Sequence, residues 1–226
     1  MKIVTWNMGR RRGAWDYLVT VINPVYALLQ ETLRPPGPPD RWCWAPVGEH
    51  SLKHGKAGRY AWGSAVWSRD HDLQEVTIGE HEGWVEAARS VDSNAFLLIS
   101  IHVELDRQGR SIPMLHRILS GLTPTLEQAS TDLILGGDLN ADVGFDQKDG
   151  TRRHAIAFER IEDFGLWHCN RLIPAARRRT FRPQSVMDDH LFVGRSMMSR
   201  VLSCHVLANE DVPSDHFPVV LELEPG

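Results

Sequence analysis

The sequence predicts an α/β sandwich of four layers, in which two mainly antiparallel β-sheets pack face to face and helices cover the outside. Two observations carry this expectation. Strand-like apolar runs outnumber helix-like ones, and several of them, such as Leu133-Ile134-Leu135 and Leu98-Ile99, are apolar on both faces and must be covered on both. Most successive runs are also separated by short Gly, Asp or Asn turns, the punctuation of antiparallel sheets.

The elements follow in order. The chain enters directly into a strand ending at Asn7. From Ala14 to Ile22, Trp15, Leu18, Val19 and Ile22 share one helical face, and Asn23-Pro24 stops the helix. A buried strand from Val25 to Gln30 precedes a loop from Leu33 to Asp40 that carries four prolines. Strands are expected at Trp42–Ala45, Tyr60–Trp67, Leu73–Ile78, Trp84–Val91 and Ala95–His102, with a polar, basic loop from His50 to Arg59 facing the substrate side. Leu115, Ile118, Leu119, Leu122 and Leu126 give a helix over Ile112–Gln128, imperfect because of Gly121 and Pro124. A second long helix is expected from His154 to Phe164, and closing strands at His190–Val193, Val201–Leu207 and Val219–Leu223. No repeat, low-complexity tract or linker divides the chain, so residues 1–226 read as one domain.

Composition bounds the function classes. With 226 residues, 42% hydrophobic and 24% charged, the chain is long enough to bury a core without disulfide or metal staples. A formal net charge of -4 argues against a wholly polyanion-binding surface but leaves room for a local basic patch. Cys43, Cys169 and Cys204 show no Cys-x-x-Cys spacing, which excludes a zinc knuckle and suits a reducing compartment. No signal-peptide pattern opens the chain, and no segment reaches the roughly 20 apolar residues of a membrane span. A cytoplasmic protein is expected.

Chemistry concentrates at the ends of the apolar runs: Trp6-Asn7, Gln30-Glu31, Ile101-His102, Gly137-Asp138-Leu139-Asn140, Asp189-His190 and Ser214-Asp215-His216-Phe217-Pro218. Asp138 and Asn140, two apart, share a face if the strand persists, so one can handle a nucleophilic water while the other hydrogen-bonds a phosphoryl oxygen. A turn after Pro213 could converge the adjacent Asp215 and His216. Magnesium prefers one or two carboxylates with water and substrate phosphate, which suits Glu31 and Asp215 with help from Asn7. Singly, each residue also reads as a cap, a turn or a solvated strand end; the signal is their joint occurrence in this order. A calcineurin-type dimetal centre would need Gly-Asn-His, and a zinc peptidase His-Glu-x-x-His; neither is present.

The ordered set resembles the endonuclease/exonuclease/phosphatase superfamily, the deoxyribonuclease I-like group, over nearly the whole chain. Its strand-end Asn, Gln-Glu, Gly-Asp-x-Asn, late Asp-His and terminal Ser-Asp-His-x-Pro match Asn7, Gln30-Glu31, Gly137 to Asn140, Asp189-His190 and Ser214 to Pro218. The resemblance implies Mg2+, with Mn2+ able to substitute, held by Glu31 with Asn7 and Asp215. It also implies that Asp138 orients or deprotonates the attacking water, Asn140 binds phosphate, and His216, fixed by Asp189, stabilises the transition state. His102 would serve the leaving group or a phosphate oxygen. Asp188 competes with Asp189 for the pairing with His216, and spacing to Leu191-Phe192-Val193 favours Asp189. The expected function is a magnesium-dependent phosphodiesterase or nuclease. The alternatives are a phosphomonoesterase or lipid- or sugar-phosphate hydrolase of the same fold, and a binding module that has lost catalysis. Arginines beside the motifs, Arg10, Arg153, Arg179 and Arg182, are candidate contacts to the phosphate-ester substrate, possibly nucleic acid, or else solvated faces.

Overall fold

The computed structural model describes residues 1–47, 61–78, 83–91, 95–128, 132–184 and 186–224. In chain order the strands are β1 (Lys2–Asn7), β2 (Tyr26–Leu33), β3 (Trp42–Pro46), β4 (Trp62–Ser68), β5 (Leu73–Glu75), β6 (Val85–Ser90), β7 (Leu97–His102), β8 (Leu133–Asp138), β9 (Leu166–His168), β10 (Asp189–Gly194), β11 (Val201–Val206) and β12 (Val219–Leu223). The helices are α1 (Gly13–Tyr17), α2 (Ile112–Gln128), α3 (Val143–Asp149) and α4 (Arg153–Asp163). The strands form two six-stranded sheets in the orders β11-β12-β1-β2-β4-β3 and β5-β6-β7-β8-β10-β9. Among the described residues only β1–β2 and β7–β8 pair in parallel. The elements between them explain this, since α1 with a π-helical turn over Leu18–Ile22 returns the chain from β1 to β2, and α2 returns it from β7 to β8.

Three apolar layers separate the four structural ones. Between the sheets lie Ile3, Tyr26, Leu28, Leu98, Ile134, Leu191 and Val193. The outer face of the first sheet packs Val4, Trp6, Ala27 and Leu29 on Trp15 and Leu18. The outer face of the second packs Leu97, Ile99, Ile101, Leu135 and Phe192 on α2 and α4, through Leu115, Leu119, Leu122, Ala157 and Ile161. Side chains alternate along a strand, so the same parity that sends these residues inward sends Asn7, Gln30, Ser100, His102, Asp138 and Asp189 into the gap between the sheets. Gln30 and Ser100 bridge that gap, with Gln30 Nε2 donating to Ser100 Oγ at 2.9 Å and Ser100 Oγ donating to Leu29 O at 2.9 Å. The sheets are thus tied together directly beneath the strand ends that carry the other polar groups.

The differences from the expected elements are local. The helical turn stops after Ile22 at Asn23, whose left-handed conformation (φ 50°) an asparagine tolerates as a C-terminal cap, and Pro24 keeps the helix from continuing. β5 ends at Glu75 rather than Ile78, and β9 and α3 arise where no periodic pattern marked them. α2 spans Pro124, which lacks the N–H that would reach Ser120; the apolar face it buries outweighs one lost bond. The expected basic loop over 50–59 and the start of the Tyr60 strand lie outside the described residues. No helix among the described residues is long and apolar enough to cross a membrane.

Candidate active site

The carboxyl ends of β1, β2, β7 and β8 meet at one end of the sandwich, and Asp189 opens β10 directly opposite Asp138 in the antiparallel register. Gly137 makes the approach possible: a Cβ there would lie 1.7 Å from Ile101 O, so only glycine lets β8 run this close to β7 just before Asp138. Glu31 needs a different device. In a regular strand it would face away from Gln30, but the β2–β4 register shifts between Leu29 and Thr32 and Glu31 takes a left-handed φ of 44°. This bulge turns the carboxylate toward the same end as Asn7 and Asp138, the use to which bulges next to sites are put.

Asp138 is the centre of the constellation. Its Oδ2 accepts from Asn7 Nδ2 at 2.9 Å and its Oδ1 from the Asn140 N–H at 3.0 Å. Asn140, itself left-handed (φ 48°), anchors its amide by donating to Val103 O at 2.9 Å. Asp138 Oδ2 stands 3.9 Å from His216 Nε2 and 3.8 Å from His102 Nε2, and His102 Nε2 is 3.9 Å from Glu31 Oε1. The other ring nitrogen of His216, Nδ1, lies 2.9 Å from Asp189 Oδ2. The Ser214 hydroxyl ties this turn to β1, donating to Asn7 O at 2.7 Å and accepting the His216 N–H at 3.1 Å, while Trp6 Nε1 donates to His216 O at 2.9 Å. Asn7, Glu31, His102, Asp138, Asn140, Asp215 and His216 all line one cavity of about 480 Å³. Asp189, with no exposed surface, lies behind His216.

Electrostatics follow from burial and from the close acids. Burial alone disfavours a charged His216 ring, yet the charge and hydrogen bond of Asp189, with Asp138 adding to them, push its pKa up to about 10. Burial and the neighbouring Asp189 raise Asp138, partly offset by His216 and His102. His102 moves the opposite way because desolvation exceeds the pull of Asp138, so it is held neutral. Asp188 does not contact His216. It lines an adjoining cavity of about 700 Å³, where burial and then Asp138 and Asp189 push it up to about 8. Asp138, Asp189 and His216 offer ligand atoms within 4.8 Å of one another and could hold a metal ion.

The four candidate substrate arginines separate. Arg10 lines the cavity, and Arg153 lines the adjoining one while pairing with Asp149 at 3.0 Å. Arg182 is turned elsewhere: its guanidinium donates to the carbonyls of Asn209 (2.9 Å) and Val212 (2.8 Å) and lies 4.6 Å from the Phe217 ring, which makes it a staple of the turn before Ser214. Arg179 donates to Arg182 O, and neither residue lines the cavity. Two residues at the site carried no sequence signal, Phe181 lining the cavity and the fully buried Thr180 next to it. Phe181 pairs with His216 by an isolated bridge and packs its ring 4.8 Å from the imidazole, and Thr180 Oγ1 accepts the N–H groups of both Asp188 (3.0 Å) and Asp189 (3.1 Å). Both sit in a non-periodic Arg- and Pro-rich stretch, where only the isolated Thr-Phe pair could have drawn notice. Trp62 and Trp84 flank His102, with Trp84 5.0 Å from its ring.

No protein-family model matches the chain, and no curated protein matches it in sequence. Solved structures do match in fold. The 3'-5' exonuclease NExo of Neisseria meningitidis aligns at TM-score 0.74 and 20% identity over 99% of this chain and all of its own. The endonuclease domain of TRAS1, a telomere-specific non-LTR retrotransposon, aligns at 0.73 and 17% over 99% of this chain and 97% of that one. An AP endonuclease from Archaeoglobus fulgidus aligns at 0.69 and 18% over the full length of both. The two mixed six-stranded sheets with flanking helices are therefore the fold of these endonuclease/exonuclease/phosphatase proteins.

Proposed function

We propose that this chain is a phosphoester hydrolase of the endonuclease/exonuclease/phosphatase superfamily that cleaves phosphodiesters of nucleic acid with Mg2+, for which Mn2+ substitutes. The observation that carries the reading is the Asp138 carboxylate fixed by Asn7 and Asn140, with the Asp189–His216 dyad on one side and Glu31 across the cavity. The donor set fits a hard divalent ion, since Glu31, Asp215 and Asn7, whose Oδ1 also accepts the Gly9 N–H at 3.0 Å, all carry oxygen donors and line one cavity. Glu31, which keeps 19% of its side chain exposed, is the better entry point than Asp189, whose Oδ2 is committed to His216. When bound, the ion supplies positive charge to the phosphoryl oxygens.

The remaining steps belong to the chain's own residues. Asp138 takes the proton of the attacking water, and its raised pKa makes it a better acceptor near neutrality than an ordinary carboxylate. His216 is held charged by Asp189 and aims Nε2–H at the phosphoryl group, where negative charge grows in the transition state. Asn140, whose amide gives one hydrogen to Val103 O, offers its second to a phosphate oxygen, and His102 faces the leaving-group side from between Trp62 and Trp84. A polymeric substrate is favoured over an isolated phosphate because the adjoining cavity shares Leu105, Asn140 and Phe181 with the first and continues past Arg110 and Arg153. The structural neighbours include an AP endonuclease and a Neisseria 3' phosphatase bound to a product DNA hairpin.

The test is a panel of single- and double-stranded DNA, RNA, 3'-phosphorylated oligonucleotide, phospholipid and inositol phosphate, each with Mg2+, Mn2+ or EDTA. We expect cleavage of an oligonucleotide with either metal and none with EDTA. Undiminished cleavage in EDTA, or no hydrolysis of any phosphate ester, would overturn the reading.

A further inference from the structure

One cation is already built against the carboxylate assigned to the metal. Arg10 Nε lies 2.7 Å from Glu31 Oε2, a close ion pair. Although just over half of the Arg10 side chain is exposed (54%), it is not a loose surface pair. Its backbone N–H donates to Glu31 O at 2.9 Å, its own φ is left-handed at 59°, and its guanidinium lies 4.8 Å from the centre of the Trp62 ring. Backbone and aromatic platform thus hold the guanidinium on Glu31 from a turn that follows Asn7 in sequence. His102 Nε2, neutral, stands near the other oxygen, Glu31 Oε1, at 3.9 Å.

Resting on the metal assignment above, we propose that Arg10 is a resident counter-ion for Glu31 that couples divalent-metal binding to phosphate binding. A divalent ion taking Glu31 meets a guanidinium on the same carboxylate. The two like charges either share the oxygens, which weakens the metal, or separate. Separation is favourable where another anion receives Arg10, and the phosphate of the substrate lies in the same cavity, which Arg10 and Arg11 both line. Metal alone therefore binds against Arg10. With phosphate present, Arg10 moves from carboxylate to phosphate and the metal gains the whole of Glu31. By linkage each ligand strengthens the other to the same extent. Arg10 is on this account a positioning residue for the metal and a contact for the substrate only in the loaded site.

The experiment is calorimetric titration of the full chain with Mg2+, with and without inorganic phosphate, in wild type, Arg10→Gln, Arg10→Lys and Glu31→Gln. Removing the charge in Arg10→Gln should tighten Mg2+ binding in the absence of phosphate by about fivefold to tenfold, and should remove most of the gain that phosphate gives the wild type. Arg10→Lys, which keeps the charge, should stay near wild type. Equal Mg2+ affinity in wild type and Arg10→Gln, an undiminished phosphate gain in Arg10→Gln, or the same behaviour in Arg10→Lys as in Arg10→Gln would overturn the coupling. Glu31→Gln separates this from the underlying reading: Mg2+ binding as tight as wild type there refutes the metal assignment, whereas its loss alongside an unchanged Arg10→Gln refutes the counter-ion alone.

Discussion

Glu86 shows how a single residue reports on the packing behind the site. It lies on β6 opposite Ser100, with the parity that faces the other sheet, and only 5% of it is exposed. Its Oε1 accepts the adjacent Ala87 N–H at 3.1 Å, which is too little to offset burial and the nearby Glu75, and its pKa is pushed up to about 8. In the unfolded chain the group titrates near 4.3. Between those values the native state binds the extra proton, so Glu86 lowers stability progressively as pH rises from about 4.3 to 8, and the full penalty stands above that. Glu86→Gln should leave Tm almost unchanged at pH 4 and raise it relative to wild type at pH 8 to 9. Scanning calorimetry at the two pH values checks this, and an equal Tm at both would show that the carboxyl is not desolvated. At this scale the sequence was most legible where spacing was the guide: two residues before the apolar run, Asp189 rather than Asp188 meets His216. It was least legible for Arg182, since a guanidinium that satisfies backbone carbonyls looks identical in sequence to one that meets phosphate.

Among the elements, those with a sustained period were readable and those made by one contact were not. β1, β7 and β8 announce themselves because an apolar run ends in a polar residue, and β10 because its apolar run opens on Asp189; in each case that residue faces the gap between the sheets. α2 has a full apolar face, whereas α3 has seven residues and a cap from Asp142 to the Gly144 N–H at 2.7 Å, too little for a pattern. The β2 bulge was also hidden: alternation would have sent Glu31 away from Gln30, and only the register shift against β4 brings it back. The β7–β8 contact offers the sharpest test of an element. Gly137→Ala must push Ile101 O away, which should cost about 1–3 kcal/mol or more as overpacking does. It should also displace Asp138, the next residue. Urea denaturation together with turnover checks both effects. Wild-type stability in the variant would mean that the strands separate freely and that the close approach does not set the position of Asp138.

For the whole molecule, the determining feature is that each sheet contains one parallel pair made by a helical crossover, so the carboxyl ends of four strands from two sheets converge. This end of the sandwich collects Asn7, Glu31, His102 and Asp138 from positions spread over more than half the chain. The sequence order of the motifs revealed that they belonged together, but the physical cause, the sandwiching of two parallel pairs, could be seen only in three dimensions. A net charge of -4 likewise hid the local arrangement in which Arg10 and Arg11 line one cavity and Arg110 and Arg153 the next. The central claim is that Asp138 performs chemistry rather than holding the fold or the substrate. The most direct test is the single-turnover cleavage rate of an oligonucleotide found to be a substrate, at saturating Mg2+, for wild type and Asp138→Asn, with oligonucleotide affinity measured on the same preparations. We predict a rate lower by roughly 10² or more, as for removal of a general base, with affinity within about threefold of wild type. A rate equal to wild type at equal affinity would contradict the account.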